Sequence, residues 1–324
     1  MNRGIVAVFV GLILLGIVGL SCGSEENQQV VVDGATVVVV MTPTSLPAPT
    51  RTAIPSATPV GFKPAIDPSF LALREELAEV VGSYGVVGEY AVAVTDLQTG
   101  ETISVNGSRP QLAGCTANFF VLLAATLGVQ SGIFAEEKVG NLISQTIWSS
   151  NPVTARTLYS IIGEGSAVEG VGRVQRLVED RLGLSSIIID HPPAYPEESR
   201  GVNSDNWVTA EQLNESLAIL YRGGILEPAW RDYLLAKMVE VKPGLNYLTA
   251  YGTGGVVSHK NGFFANSSGW IDNDIGIVRF ERGGVIYAYA ISLLSQKVPW
   301  KYGDIPLGQR ISELVWGYFN GKYY

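Results

Sequence analysis

The sequence predicts a mixed α/β (α+β) fold in which strands from both ends of the folded region form one antiparallel sheet. The first observation is a strand–turn–strand pattern early in this region, and the second is a group of three strand-like segments near the end. The third is the long stretch between them, where apolar residues recur at helical spacing. We therefore expect helices on the sheet, an inserted and mainly helical lobe, and a ligand site in the cleft between the lobes.

Residues 1–22 are typical of an export signal. Arg3 precedes an apolar run from Ile5 to Leu20, and small residues then lead into Cys22. The pattern resembles a bacterial lipoprotein signal, in which this cysteine is lipidated and becomes the first residue. An uncleaved signal anchor is the alternative, because the run is long enough to cross a bilayer. Both interpretations predict an extracytoplasmic, membrane-anchored protein.

Residues 23–64 are predicted to be an extracytoplasmic linker. The stretch from Thr42 to Pro59 is dense in Pro, Thr, Ser and Ala, a composition that cannot bury a core and favours extended backbone. A valine-rich segment from Val30 to Met41 precedes it, and a single strand is the simplest interpretation of that segment. The folded domain is therefore assigned to residues 65–324.

The folded domain is predicted to begin with a helix and a hairpin. Apolar and polar residues alternate with helical spacing from Pro68 to Val81. The segments Glu89–Thr95 and Glu101–Val105 then alternate as strands, and the turn residues between them predict a hairpin.

A helix that is apolar on all sides follows the hairpin. From Phe119 to Leu127 every residue except Thr126 is apolar, which places the helix in a core, and Gly128 is expected to end it. Cys115 and Asn118 lie three residues apart at its start and should project to the same side. A thiol there would be close to the positive end of the helix dipole. The alternative is that Cys115 only packs and that Asn118 hydrogen-bonds locally.

The remaining elements also follow from periodicity. They are helical patterns over 135–182 with breaks near 149–152 and 163–165, a loop-like segment over 185–202, helices over 209–222 and 228–240, strands over 256–264, 275–280 and 285–294, and a final helix over 305–319.

The composition argues against two classes of partner. Acidic residues outnumber basic ones by 30 to 22, and a nucleic-acid-binding protein needs a basic surface instead. Two cysteines form no disulfide framework. His191 and His259 have no metal-ligand spacing with Cys115 or with another group, so structural roles are expected for both, and neither a metal nor a cofactor is predicted.

Three short motifs occur in the predicted order of elements. The segment Cys115–Asn118 begins the apolar helix, Ser149–Asn151 lies between two helices, and Lys260–Gly262 lies on a late strand. The combination resembles the class A β-lactamase and penicillin-binding-protein superfamily of serine hydrolases, which carries Ser-x-x-Lys, Ser-x-Asn and Lys-Thr-Gly at these places. Cys115 would then occupy the position of the serine nucleophile, and Asn118 that of the lysine.

The resemblance implies a β-lactamase/transpeptidase-like fold and assigns roles to individual residues. Ser149 would shuttle a proton, Asn151 would hold a substrate amide, Lys260 would complete the catalytic group, and Asn261 and Gly262 would bind substrate. The later segment Ser204–Asn206 also spells the second motif, but it comes too late in the order of elements. We interpret it as a chance match at a helix start, where Ser, Asp and Asn are common caps.

The departures from the motifs predict impaired catalysis. An amide accepts no proton near neutral pH, so Asn118 cannot serve as the base that the serine mechanism needs. A cysteine at position 115 ionises more readily than serine and needs less help from a base. Glu197 and Glu198 lie near the loop where the family carries its deacylating glutamate, but in no recognisable motif.

Three functions are left open by the sequence. The favoured one is a membrane-tethered domain that binds a β-lactam, a peptidoglycan peptide or a protein partner without turning it over. The second is a slow, cysteine-based hydrolase of β-lactams or acyl peptides. The third is a structural scaffold on a stalk.

Overall fold

The computed structural model describes residues 66–324. The predicted signal segment, Cys22, the linker and the valine-rich segment Val30–Met41 lie outside the described residues. Within residues 66–324, no helix combines the length and the apolar character needed to cross a membrane.

The described chain forms helices and strands in the order that the sequence predicts. The α-helices are α1 (Pro68–Gly82), α2 (Asn118–Gln130), α3 (Glu136–Ser149), α4 (Pro152–Ile162), α5 (Ala167–Arg176), α6 (Ala210–Tyr221), α7 (Pro228–Lys237) and α8 (Ile305–Lys322). The strands are β1 (Glu89–Asp96), β2 (Thr102–Val105), β3 (Gln111–Leu112), β4 (Trp207–Val208), β5 (Val256–Asn266), β6 (Gly269–Arg282) and β7 (Val285–Gln296).

The main sheet has the strand order β2-β1-β7-β6-β5, and every neighbouring pair is antiparallel. Strands β1 and β7 are adjacent although they come from opposite ends of the domain, with Glu89 opposite Gln296 and Asp96 opposite Tyr289. The predicted α+β fold with a sheet built from both chain ends is therefore confirmed. The short pair β3–β4 is an additional two-stranded sheet that the sequence did not indicate.

Both faces of the main sheet are covered by apolar side chains. On one face α2 is largely buried among the helices of the inserted lobe, with Phe119 and Phe120 completely enclosed. On the other face α1 and α8 pack through Phe70 and Phe319. Each large apolar side chain buried in this way stabilises the fold by about 1.5–3 kcal/mol.

Helix α2 differs from its prediction at both ends. It begins at Asn118 after one turn of 3₁₀ helix, Gly114–Ala117, and it continues through Gly128 to Gln130. The predicted stop at Gly128 is wrong because this glycine has another role. A Cβ atom there would overlap the ring of Phe134, so the position needs a residue without a side chain for close packing.

Strand β6 begins at Gly269, before the predicted start at Ile275. The polar residues Asp272, Asn273 and Asp274 conceal the strand in the sequence because they break the apolar pattern. All three are buried, and pairing with β5 along the whole length holds them in the sheet. Helix α7 ends at Lys237, earlier than expected.

Candidate active site

The first and third motifs meet where strand β5 passes the 3₁₀ turn Gly114–Ala117. A Cβ atom on Gly262 would lie 2.7 Å from the backbone nitrogen of Cys115 and 2.6 Å from that of Thr116. Only glycine permits this approach of two backbones, because real Cβ atoms do not come so close. The structure therefore brings Gly262 and Cys115 together.

Cys115 is fully buried in the 3₁₀ turn that precedes α2, next to Gly262.

Asn118 is fully buried at the first position of α2. Neither its Oδ1 nor its Nδ2 atom forms a hydrogen bond in the described part of the chain. The alternative expectation of a local hydrogen bond is therefore wrong. A buried polar group left without a partner costs about 1–3 kcal/mol, so this amide does not serve the stability of the fold.

In the second motif, Ser150 rather than Ser149 faces Lys260. Helix α3 ends at Ser150 in the left-handed region, with φ of 53°, and this turn directs the buried hydroxyl to the Lys260 ammonium. The Ser150 Oγ atom also lies 3.4 Å from both the backbone oxygen and the Oδ1 atom of Asn261. Ser149 is only half-buried, and its hydroxyl forms no hydrogen bond within residues 66–324.

Asn151 uses its side-chain oxygen to cap α4. The Oδ1 atom accepts hydrogen bonds from the backbone nitrogens of Val153 at 3.0 Å and Thr154 at 3.4 Å. An Asn followed by Pro152 is typical of a helix cap and first turn, and this signal was available in the sequence. It stays a prediction that Asn151 holds a substrate amide, and its Nδ2 atom would make that contact.

Lys260 is fully buried on β5. Its Nζ atom donates to Ser150 Oγ and, at 2.5 Å, to the backbone oxygen of Asn261. Burial lowers the pKa of Lys260 to about 7, and the negative charge of Asp274 opposes this shift. The amine therefore changes its charge close to neutral pH, unlike a surface lysine.

A polar cluster lies behind Lys260 and was not assigned a function from the sequence. His259 Nδ1 lies 2.9 Å and 3.1 Å from the two carboxylate oxygens of Asp274, and His259 Nε2 lies 2.9 Å from Asn246 Oδ1. Thr249 donates to Asp274 through its backbone nitrogen at 3.1 Å and its hydroxyl at 2.6 Å. The pairing of β5 with β6 creates this cluster.

A comparison of the chain with models of known protein families shows which family it belongs to. The model of the beta-lactamase enzyme family matches residues 130–319, which is more than half of the 324-residue chain. The chain belongs to the β-lactamase enzyme family. The match begins after the Cys115–Asn118 segment. None of the curated proteins matches the chain.

Solved structures of this family share the fold. The chain is 20% identical to the TLA-3 extended-spectrum β-lactamase, with a TM-score of 0.65 over 76% of this chain and 98% of that one. A β-lactamase from Chitinophaga pinensis is 19% identical, with a TM-score of 0.64 over 76% and 98%. The penicillin-binding protein PBP-A is 18% identical, with a TM-score of 0.62 over 77% and 96%.

Glu197 and Glu198 are the two candidates for a deacylating glutamate, and neither contacts the candidate site. The carboxylate of Glu198 is bound by the Arg156 guanidinium through both of its oxygens. Glu197 is exposed on the surface. No glutamate of residues 66–324 hydrogen-bonds to the Cys115, Ser150 and Lys260 cluster among the contacts described.

The segment Ser204–Asn206 stabilises the loop before α6 by hydrogen bonds to the backbone. Asn206 accepts from the backbone nitrogen of Asp190 at 2.7 Å and donates to the backbone oxygen of His191 at 3.0 Å. The cap of α6 is Thr209 instead, so the expectation that this segment caps the helix is wrong. Among the described residues, no group of three or more His, Cys, Asp and Glu side chains has the arrangement of a metal site.

Proposed function

We propose that this domain binds a β-lactam or an acyl peptide of the cell wall at the site formed by Cys115, Ser150 and Lys260, without efficient turnover. The observation that carries the proposal is Asn118, a buried amide without a hydrogen-bond partner at the position where the family's mechanism needs a proton acceptor. An amide cannot activate a nucleophile at residue 115 by removing its proton. The serine mechanism is therefore absent from this chain.

The proposal also rests on polar groups that face a common point. The Ser150 hydroxyl is within hydrogen-bond reach of the Lys260 amine and of the Asn261 Oδ1 atom, and the Lys260 amine donates to the backbone oxygen of Asn261. Buried polar side chains of this kind provide directional contacts for a ligand rather than stability. With Glu198 bound to Arg156, an acylated site would also lack the group that activates the hydrolytic water.

The first experiment measures binding and turnover together. Wild-type protein is titrated with benzylpenicillin and with a D-Ala-D-Ala-terminated peptide by calorimetry, and turnover is followed with a chromogenic cephalosporin, each with and without a reductant. We expect reversible binding and no measurable turnover. Lys260→Met should weaken binding by about 10- to 100-fold, which corresponds to the loss of one charge-assisted hydrogen bond. Lys138→Met, at an exposed position of α3, is the matched control.

Other outcomes would favour the remaining functions. Turnover by the wild-type protein that disappears in Cys115→Ala would identify a cysteine-based hydrolase. The absence of binding to both ligands, in a folded protein, would leave the scaffold function and contradict the proposal.

We further propose that the domain is held on the outer side of a membrane through Cys22. The support is the sequence pattern of residues 1–22, with its single arginine, apolar run and terminal cysteine. Cys22→Ala should release the protein from the membrane fraction and remove the mass of the lipid from the intact chain. Unchanged retention and mass in this variant would contradict lipidation and favour the signal anchor.

A further inference from the structure

A group of stacked aromatic rings lies on the surface beside the candidate site. The ring of Phe263 stacks on that of Trp270, with centroids 5.3 Å apart and planes inclined by 21°, and on that of Tyr302, with centroids 5.1 Å apart and planes inclined by 27°. The ammonium group of Lys301 lies over all three rings, at 5.5, 5.9 and 4.8 Å from their centroids in that order. We call these four residues the aromatic patch.

The rings of the aromatic patch are fixed in place by their surroundings. The loop that carries Tyr302 is joined to the start of β6 by two backbone hydrogen bonds between Trp270 and Val298, of 2.8 and 3.2 Å. The ring of Tyr302 also contacts that of Tyr247 edge-on, with centroids 6.0 Å apart, and the Tyr247 hydroxyl donates to the buried Asp272 at 2.9 Å. Rings that are held before a ligand arrives lose little conformational freedom on binding.

The position of Tyr302 is not explained by the stability of the fold. Its backbone has a φ of 63°, in the left-handed region, where a residue with a side chain costs about 1–2 kcal/mol. The side chain is 45% exposed, so its burial recovers only part of that cost. Strained residues of this kind cluster at binding sites, and the arrangement therefore favours contact with a ligand.

The polar groups of the aromatic patch are not used by the fold. Within residues 66–324, the Lys301 ammonium forms neither a hydrogen bond nor an ion pair, and only the electrostatic attraction of the ring faces holds it. The Tyr302 hydroxyl and the Trp270 indole nitrogen also make no hydrogen bond in this part of the chain. The patch therefore presents three hydrogen-bond donors beside apolar rings.

Aromatic rings combined with donors match the chemistry of a saccharide. The C–H faces of a sugar ring pack against aromatic faces, which carry negative partial charge. The hydroxyl, acetamide and carboxylate oxygens of the sugar accept hydrogen bonds from ammonium, phenol and indole groups. A purely apolar partner would leave these donors unpaired, and the net charge of −8 disfavours a nucleic acid.

The aromatic patch continues the candidate site along β5. Phe263 directly follows Gly262, and β5 is the edge strand of the main sheet. Side chains alternate along a strand, so Phe263 lies on the face opposite to Lys260 and Gly262, but a ligand along the edge meets both faces. Trp270 lies opposite Ala265, three residues or about 10 Å beyond Gly262. A peptide of five residues extends up to about 17 Å, so its far end reaches the patch.

We propose that the aromatic patch is a subsite for the N-acetylated amino-sugar chain to which a cell-wall peptide is attached. The exposed ring of Tyr302 packs on a sugar ring, and Lys301 donates to the sugar oxygens. The role of the sugar as part of a larger ligand rests on the proposed function, whereas the binding of the sugar chain itself does not. The ligand class of the site is then a peptide that carries its glycan.

The test compares a peptide with and without its sugar. The full chain in detergent is titrated by calorimetry with a D-Ala-D-Ala-terminated pentapeptide, with the same pentapeptide on its N-acetylglucosamine–N-acetylmuramic acid disaccharide, and with a tetramer of N-acetylglucosamine. We expect the disaccharide to raise the affinity of the pentapeptide by about 10- to 100-fold, and the tetramer to bind without any peptide.

Two substitutions in the patch should reduce this affinity ratio by about fivefold or more each. Tyr302→Gly removes the ring, and glycine adopts the left-handed φ without strain, so the variant should fold. Lys301→Met keeps the aliphatic part of the side chain and removes the donor. Tyr251→Ala is the matched control, because Tyr251 is 39% exposed and precedes the other end of β5, and it should leave the ratio unchanged.

A measurement on the wild-type protein needs no binding by a variant. The indole N–H resonance of Trp270, identified by its loss in Trp270→Phe, should shift when the N-acetylglucosamine tetramer is added to protein with isotope-labelled tryptophan. The chemical environment of this group changes if the sugar chain occupies the patch.

Two results would overturn the inference. One is equal affinity for the pentapeptide with and without the disaccharide, together with no Trp270 shift and no binding of the tetramer. The other is an affinity ratio that stays the same in both Tyr302→Gly and Lys301→Met, since the sugar would then bind elsewhere. Binding of the tetramer that is lost in Tyr302→Gly, without any binding of penicillin or of the free pentapeptide, would support the inference and contradict the proposed function.

Discussion

Replacing Cys115 by Ser and Asn118 by Lys in one protein should produce a domain that benzylpenicillin acylates at residue 115. The double variant supplies a hydroxyl nucleophile and an amine one helical turn away to take its proton. A positioned general base contributes about 10²- to 10⁴-fold to such a step, so acylation should accelerate by that order over the Cys115→Ser variant alone. Intact-protein mass spectrometry over time measures the rate and the site.

The acyl group should also remain on this double variant. Glu198 is paired with Arg156 and Glu197 is exposed, so neither of these glutamates is placed to activate the water of the second step. Cys115→Ser and Asn118→Lys as single variants separate the contribution of the nucleophile from that of the base. A folded double variant without any adduct would show that the site does not admit a β-lactam and would contradict the proposed ligand.

Lys322→Met should destabilise the domain by about 3–5 kcal/mol, because it leaves a buried charge without its partner. Asp96 is fully buried at the end of β1, and its Oδ2 atom accepts from Lys322 Nζ at 2.8 Å and from the Tyr323 hydroxyl at 2.6 Å. The other carboxylate oxygen accepts from the backbone nitrogen of Gln98 at 2.9 Å. These contacts attach the C-terminal end of α8 to the end of strand β1.

The free energy of unfolding of this variant is measured by urea denaturation at pH 7. Lys138→Met, an exposed substitution, should change it by no more than about 0.5 kcal/mol. Adding Asp96→Asn to Lys322→Met removes the unpaired charge and should restore part of the lost stability. A loss below about 1 kcal/mol in Lys322→Met would show that the pair is worth no more than a surface ion pair.

The elements of the fold were predictable because their signals are local. Helix α1 and the strands β1 and β2 follow their periodic patterns to within one residue at each end. Strand β6 was predicted too short, because its polar residues Asp272, Asn273 and Asp274 are stabilised only by partners elsewhere in the fold. The prediction that Gly128 ends α2 was wrong for a related reason, because this glycine packs closely against the Phe134 ring.

The candidate site was predictable in part. The meeting of Gly262 with Cys115 accords with the motif positions. The motif pattern assigned Ser149 to the site, because Ser149-x-Asn151 fits it and Ser150 would place Pro152 at the asparagine position, but the structure brings Ser150 to Lys260. Residues one apart on a helix point about 100° from each other, so the choice between Ser149 and Ser150 depends on how α3 ends.

By itself, the sequence determined the order of helices and strands, the burial of α2 and the membership of the β-lactamase family, because periodicity and short motifs are properties of neighbouring residues. The tertiary structure alone decided that Ser150 contacts Lys260 across 110 residues of chain, and that His259 lies between Asp274 and Asn246. The charge of a buried side chain depends on the atoms packed around it, and those atoms come from distant segments.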